Sequence, residues 1–224
     1  MKFDPNIHHR KSIRLKGYAY SSAGAYFVTI CVKDRECILH DPIVSGIIMD
    51  VWDALPKWFP TIALDEFVVM PNHIHFIVWL QSIGATLAVA HDAVALNVVA
   101  HDVVAQNRAG ASPAPTDRTW EIPEPESINL KPTLGDVVGA FKSLVFTVYL
   151  DWIDKYDPKR RAKFWQRNYY EHIIRNEAEL KAIRQYIHDN PLKWELDRDN
   201  PDNIKRLLPP TRIEDYLQEI GISS

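Results

Sequence analysis

The chain has 224 residues, 46% hydrophobic and 25% charged, enough apolar material for one globular core without staples. Its two cysteines, Cys31 and Cys37, form neither a disulfide framework nor a metal-ligand pattern, which points to a reducing compartment. The formal net charge of −3 argues against a polyanion ligand for the chain taken whole, but residues 81–130 alone contribute −4. The remainder is weakly basic, with clusters at Arg10, Lys11, Arg14, Lys16 and at Lys155, Lys159, Arg160, Arg161, Lys163, Arg167. Local patches, not totals, steer a polyanion. The first residues, with Lys2, His8, His9, Arg10 and Lys11, lack the apolar centre of a signal peptide, and no apolar run is long enough for a membrane span. A cytoplasmic protein with no membrane partner is expected.

In chain order, Ala25–Val32 alternates β-branched and aromatic residues and reads as a strand. Ile43 to Trp58 repeats apolar residues at helical spacing, behind a proline tolerated in a first turn. Ile62–Met70 and His73–Leu80 read as two strands joined at the Pro71-Asn72 turn. Residues 81–130 break the pattern. They hold a tandem decapeptide, AVAHDAVALN at 88–97 and VVAHDVVAQN at 98–107, followed by a run rich in proline and small residues. This is read as a flexible acidic insertion, with His91 and His101 as by-products of repetition. Helical spacing returns from Leu134 to Tyr156. Phe164–Ile174 reads as strand or extended chain. Asn176 with Glu179 then forms a capping box that opens a helix ended by Asn190-Pro191. Residues 1–80 and 131–200 together form one domain, and 201–224 a C-terminal tail.

The chemistry concentrates in two places. His73 and His75 flank Ile74 on a strand, so both imidazoles project to one side, close enough to share an ion, while Ile74, Phe76 and Val78 face the core. Two half-buried core histidines would give the same pattern. Tyr186 and Asn190 are four apart on the capped helix and so share a face, one offering a phenol oxygen and the other a carbonyl oxygen. Taken together, the residues suit a phosphoryl transfer. A phenol with pKa near 10 is a poor nucleophile at neutral pH, and a divalent cation on the phosphate would offset the charge that develops. Attack by tyrosine conserves the phosphodiester energy in a covalent link, which a water-activating nuclease would lose.

Four stretches, KSIRLKGYAYSSAGAYFVTICV (11–32), PNHIH (71–75), FWQRNYYEHIIRNEAEL (164–180) and YIHDNPLKWELD (186–197), resemble the REP-associated tyrosine transposases, single-tyrosine members of the HUH superfamily. The resemblance covers nearly everything outside 81–130. It implies an α+β, ferredoxin-like (RRM-like) antiparallel sheet with helices packed on one face. It implies that His73, His75 and Asn190 are metal ligands, with Asn190 where related transposases place Gln, and that Tyr186 is the catalytic nucleophile. Mg²⁺ or Mn²⁺ is the implied cofactor. The implied partner is single-stranded DNA folded into a palindromic hairpin, cut and rejoined through a 5′-phosphotyrosine intermediate by a monomer or homodimer in the bacterial nucleoid. Candidate DNA contacts are Arg14, Lys16, Lys142, Arg160, Arg161 and Arg167, and His172 is a candidate to line the site behind the ligands. Tyr169 and Tyr170 are rival nucleophiles by composition. A hairpin-binding module that no longer cuts, and a replication-initiator type of nuclease, are the alternatives.

Overall fold

The computed structural model describes residues 18–82, 119–160, 164–197, 200–206 and 217–218. Four antiparallel strands carry the architecture: β1 (Gly24–Cys31), β2 (Ile62–Val69), β3 (His73–Leu80) and β4 (Tyr170–Ile174). They lie in the order β2-β3-β1-β4. Helix α1 (Pro42–Trp58) connects β1 to β2, α2 (Leu134–Tyr156) precedes β4, and α3 (Glu177–Asp189) follows it. This is the expected ferredoxin-like α+β arrangement. β3 and α2 have the bounds that the periodicity predicts.

Strand alternation divides the sheet into two unlike faces. Tyr26, Val28 and Ile30 of β1 and Ile74, Phe76, Val78 and Leu80 of β3 face α1 and α2, which bury Ile47, Ile48, Val51, Leu55, Val137, Phe141 and Val145 against them. Aromatic rings fill the centre. The Trp52 ring is 4.7 Å from Phe67 and 4.9 Å from Phe76, centroid to centroid. Asp41 caps α1 by accepting from the backbone N–H of Ile43 and Val44, and Thr133 with Asp136 forms a reciprocal capping box on α2.

The opposite face is thinner. Ala25, Phe27, Val68, Met70 and Ile77 meet Leu180, Ala182, Ile183 and Ile187 of α3, joined by Leu217. Helices therefore cover both faces: the two crossover helices share one, as the resemblance implies, and α3 alone lies across the other. Its N-terminus differs from a regular capping box. Asn176 Oδ1 accepts from Glu179 N–H at 2.9 Å, but the Glu179 carboxylate accepts from Arg175 N–H and lies 2.7 Å from His172 Nε2. The return bond thus lands one residue early, and Glu179, 1% exposed, ties the start of α3 to β4.

Of the acidic insertion, residues 81–82 and 119–130 are described, and the latter lie along α1. Trp120 packs on Gly46, where an added Cβ would come within 3.0 Å of the indole, and its Nε1–H donates to Asp50 at 3.0 Å. Both ends of the segment meet Thr61: its carbonyl accepts from Gln81 N–H, and its hydroxyl donates to the Leu130 carbonyl. The decapeptide repeat lies outside the described residues.

Candidate metal and nucleophile site

His73 and His75 open β3, where it pairs with the end of β1 in the register Cys31↔His73 and Thr29↔His75. Both rings are buried, and their Nε2 atoms are 3.0 Å apart. The outer ring nitrogens are held. His73 Nδ1 lies 2.9 Å from Asn72 Oδ1, and His75 Nδ1 lies 2.8 Å from Thr29 Oγ1. Burial, and secondarily the neighbouring His73, holds His75 neutral well below the usual histidine range. A neutral imidazole is the form that can ligate a cation.

Helix α3 brings Tyr186 against this pair. Its ring centroid is 5.4 Å from that of His75 and 6.0 Å from that of Phe27. Asn190, at the C-cap, is 4% exposed, and its Nδ2 has no hydrogen-bond partner. A buried donor left so costs about 1–3 kcal/mol. The chain then turns through a 3-10 helix, Pro191–Leu196, which sets the Trp194 ring 6.1 Å from His73 and brings Asp197 Oδ2 to 3.8 Å from His73 Nε2.

Two features fix α3 in place. The register of β2 against β3 slips between Leu64 and Phe67. Bulges of this kind re-aim side chains, and Asp65, within this one, points its carboxylate to the α3 side. There it accepts from Arg184 Nε and NH2 at 2.9 and 2.6 Å and from Trp79 Nε1 at 2.8 Å. The second tie is the His172–Glu179 pair.

Curated proteins include a relative in Haemophilus influenzae, described as uncharacterised, that is 34% identical over 205 residues, spanning 88% of this chain and 96% of the relative. The chain belongs to the family of that Haemophilus protein. No family model matches it. Among solved structures, a REP-associated tyrosine transposase bound to a REP hairpin is 16% identical, with 80% of this chain and 73% of that chain covered at a TM-score of 0.47. A Deinococcus radiodurans protein is also 16% identical, with 79% and 95% covered at a TM-score of 0.38.

In this member of the Haemophilus family, His73, His75 and Tyr186 are in one place, with Asn190 one turn beyond Tyr186. Among the described residues, no three His, Cys, Asp or Glu side chains stand assembled to hold a metal ion. The donor set nevertheless fits a small cation. Nitrogens about 2.1 Å from a shared ion and at right angles to each other would be about 3.0 Å apart, which is the spacing of the two Nε2 atoms. An amide oxygen from Asn190 after rotation of its carboxamide, and phosphate oxygens of a substrate, are the ligand types such an ion adds. Asp197, which the sequence reading did not single out, offers a further carboxylate.

The other candidates lie elsewhere. Tyr170 pairs with Thr29 and so is on the histidine face, but a strand separates it from His75; Tyr169 packs on the opposite core. His172 bonds to Glu179 and stands in the row His172–Phe27–Ile77, beside the site and not in it. Lys142 Nζ donates to the carbonyls of Gln166 and Arg167, and burial lowers its pKa. Arg160 pairs with Asp41 and Asp157. Arg167 is exposed. Arg14, Lys16 and Arg161 lie outside the described residues. Thr29, Asn72, Asp65 and Arg184 were not legible as site residues. The one sequence signal was the position of Asn72 in the turn before His73.

Proposed function

We propose that the protein is a metal-dependent single-strand DNA nuclease and strand transferase of the transposase type, in which Tyr186 attacks a DNA phosphate. The observation that carries this reading is the edge-on packing of the Tyr186 ring against His75 beside two convergent imidazole nitrogens. A structural histidine pair needs no phenol beside it and no buried carboxamide with an unpartnered Nδ2 one helical turn away.

In this reading His73, His75 and Asn190 hold Mg²⁺ or Mn²⁺, with Asp197 near enough to join them. Such an ion, when bound, neutralises charge on the scissile phosphate. The chain's own residues do the rest. Burial keeps His75 neutral, the form that can ligate a cation. The Asp65–Arg184 and His172–Glu179 ties hold α3 so that the Tyr186 oxygen meets phosphorus with little reorganisation. The phenol oxygen forms a bond to phosphorus as the bond from phosphorus to the 3′-oxygen breaks. The phenolic proton is lost to solvent, and the departing 3′-oxygen is protonated. A 5′-phosphotyrosine results, and reversal by a 3′-hydroxyl rejoins strands without a nucleotide cofactor. Hairpin-forming single-stranded DNA is the proposed substrate, and Arg167 is a free-standing candidate for its backbone.

The deciding experiment incubates the protein with labelled hairpin single-stranded DNA and Mn²⁺ and separates the products on a denaturing gel. A protein–DNA adduct that disappears in Tyr186→Phe and with chelator is expected. Cleavage without an adduct would replace tyrosine attack by water attack. Absence of both, with the hairpin still bound, would leave a binding module.

A further inference from the structure

Hydrogen atoms can be assigned through the hydrogen-bonded chain that joins Arg35 to Thr29 through the buried histidines, beginning from one backbone carbonyl. Asp34 and Arg35 both adopt left-handed backbone conformations, with φ of 58° and 57°. The carbonyl of Arg35 accepts a hydrogen bond from Asn72 Nδ2 at 3.2 Å. Only the amide nitrogen of Asn72 can donate there, so its Oδ1 is the atom facing His73, and an oxygen without hydrogen can only accept. His73 therefore carries a hydrogen on Nδ1, donating to Asn72 at 2.9 Å, and in the single-proton form that can ligate a cation its Nε2 presents a lone pair. Across the 3.0 Å gap, two facing lone pairs would repel. In the metal-free protein His75 must then donate from Nε2 to His73. That leaves His75 Nδ1 bare, and it accepts from the Thr29 hydroxyl at 2.8 Å.

A cation between the rings needs both Nε2 lone pairs. His73 already offers its own. His75 does not, and its proton must move to Nδ1, where its partner is Thr29 Oγ1. A hydroxyl can accept as well as donate. Thr29 is only half-buried, so its own proton can turn towards solvent. Valine or alanine at this position would leave the relocated N–H unpaired in the loaded state.

Resting on the reading that this pair binds a cation, we propose that Asn72 and Thr29 are positioning residues for the metal. Asn72 presets His73 as a ligand, and Thr29 lets His75 become one by reversing the direction of its hydrogen bond when the ion binds. No net proton is gained or lost: His75 exchanges Nε2–H for Nδ1–H, and the hydroxyl rotates. Partners behind ligating histidines typically change metal affinity by about 10- to 100-fold.

The test uses the full chain without DNA. Long-range ¹⁵N–¹H spectra of the imidazoles are recorded metal-free and with Zn²⁺ as a diamagnetic probe, and Mn²⁺ affinity is measured by electron paramagnetic resonance for wild type, Thr29→Val and Thr29→Ser. The metal-free protein should show His73 as the Nδ1–H form and His75 as the Nε2–H form. Zn²⁺ should convert His75 alone. Thr29→Val should bind Mn²⁺ about 10- to 100-fold more weakly, and Thr29→Ser should recover to near wild type. Metal-free His75 already in the Nδ1–H form, equal affinity in Thr29→Val, or a serine variant as weak as valine would each overturn the relay while leaving the metal site standing. A wild type that takes up no Mn²⁺ or Zn²⁺ would overturn the cation reading and the relay together.

Discussion

The two faces of the sheet are built from the same four strands and do opposite jobs. Towards α1 and α2, every inward side chain of β3 is apolar, and the aromatic cluster of Trp52, Phe67, Phe76 and Phe141 is closed to water. Towards α3, the same strand presents His73 and His75, and the apolar cluster shrinks to ten buried residues among those described. The α3 face substitutes directional bonds for oil: the Asp65–Arg184 pair, the His172–Glu179 pair and the chain from Arg35 to Thr29. Hydrophobic burial is nondirectional and supplies stability, whereas hydrogen bonds to charged groups fix angles and distances, which a site needs. One face should therefore govern whether the chain folds, and the other how precisely Tyr186 meets the histidines.

The largest break in this contrast is Phe141→Ala. Its ring is fully buried on the apolar face, and truncation should cost about 3–5 kcal/mol, read as a lower urea midpoint. Zn²⁺ uptake by the folded fraction should be unaltered. Arg184→Ala strikes the other face. It leaves the Asp65 carboxylate, 11% exposed, with Trp79 and the backbone N–H of Glu66 but no counter-charge from Arg184, and should cost about 1.5–3 kcal/mol while lowering adduct yield by more than the lost folded population explains. Comparison of the yield with circular dichroism at the same temperature separates the two effects.

A smaller effect is the pH dependence. His75 is neutral in the folded metal-free protein well below 6.5, through burial and His73, while in the unfolded chain it binds a proton near that value. The unfolded state then carries more protons, so stability falls as pH drops below 6.5, by up to about 1.4 kcal/mol per pH unit, until the folded-state pKa is reached. Urea melts at successive pH values check this, and His75→Gln should remove that part of the slope. The smallest effect belongs to Lys57→Ala. Its bond to Glu124 is exposed at both ends, and its loss should cost less than about 0.5 kcal/mol in the same melts.

Periodicity made the apolar face readable. The helical spacing of Val137, Val138, Phe141, Leu144 and Val145 matches the buried face of α2, and the eight residues His73–Leu80 after the Pro71-Asn72 turn form a strand buried on both faces, so element bounds followed. The pairing of His73 with His75 was readable for the same reason, since i and i+2 on a strand share a face by geometry. What escaped depends on distance through space. Thr29 meets His75 across 46 residues, and Arg184 meets Asp65 across 119; the side chains that end up opposite one another are set by strand register and by the slip at Asp65. The placement of α3 on the second face escaped too, because Leu180, Ile183 and Ile187 mark an apolar stripe without saying which surface it covers. Residues 119–130 read as flexible because of their prolines, yet Trp120 on Gly46 and Asp50, Glu124 on Lys57 and Asn129 on the Trp58 carbonyl lay them on α1.

Thr61 grips the departing and the returning strand of the acidic segment with one residue, by its carbonyl at Gln81 and its hydroxyl at Leu130. Such a clasp makes the sheet indifferent to how much chain is threaded between its jaws, because closing a longer or shorter loop changes the free energy only logarithmically. The position is therefore a natural port for engineering: a fluorescent reporter or affinity handle spliced between residues 83 and 118 would hang from a clasp that already holds both ends of the inserted chain.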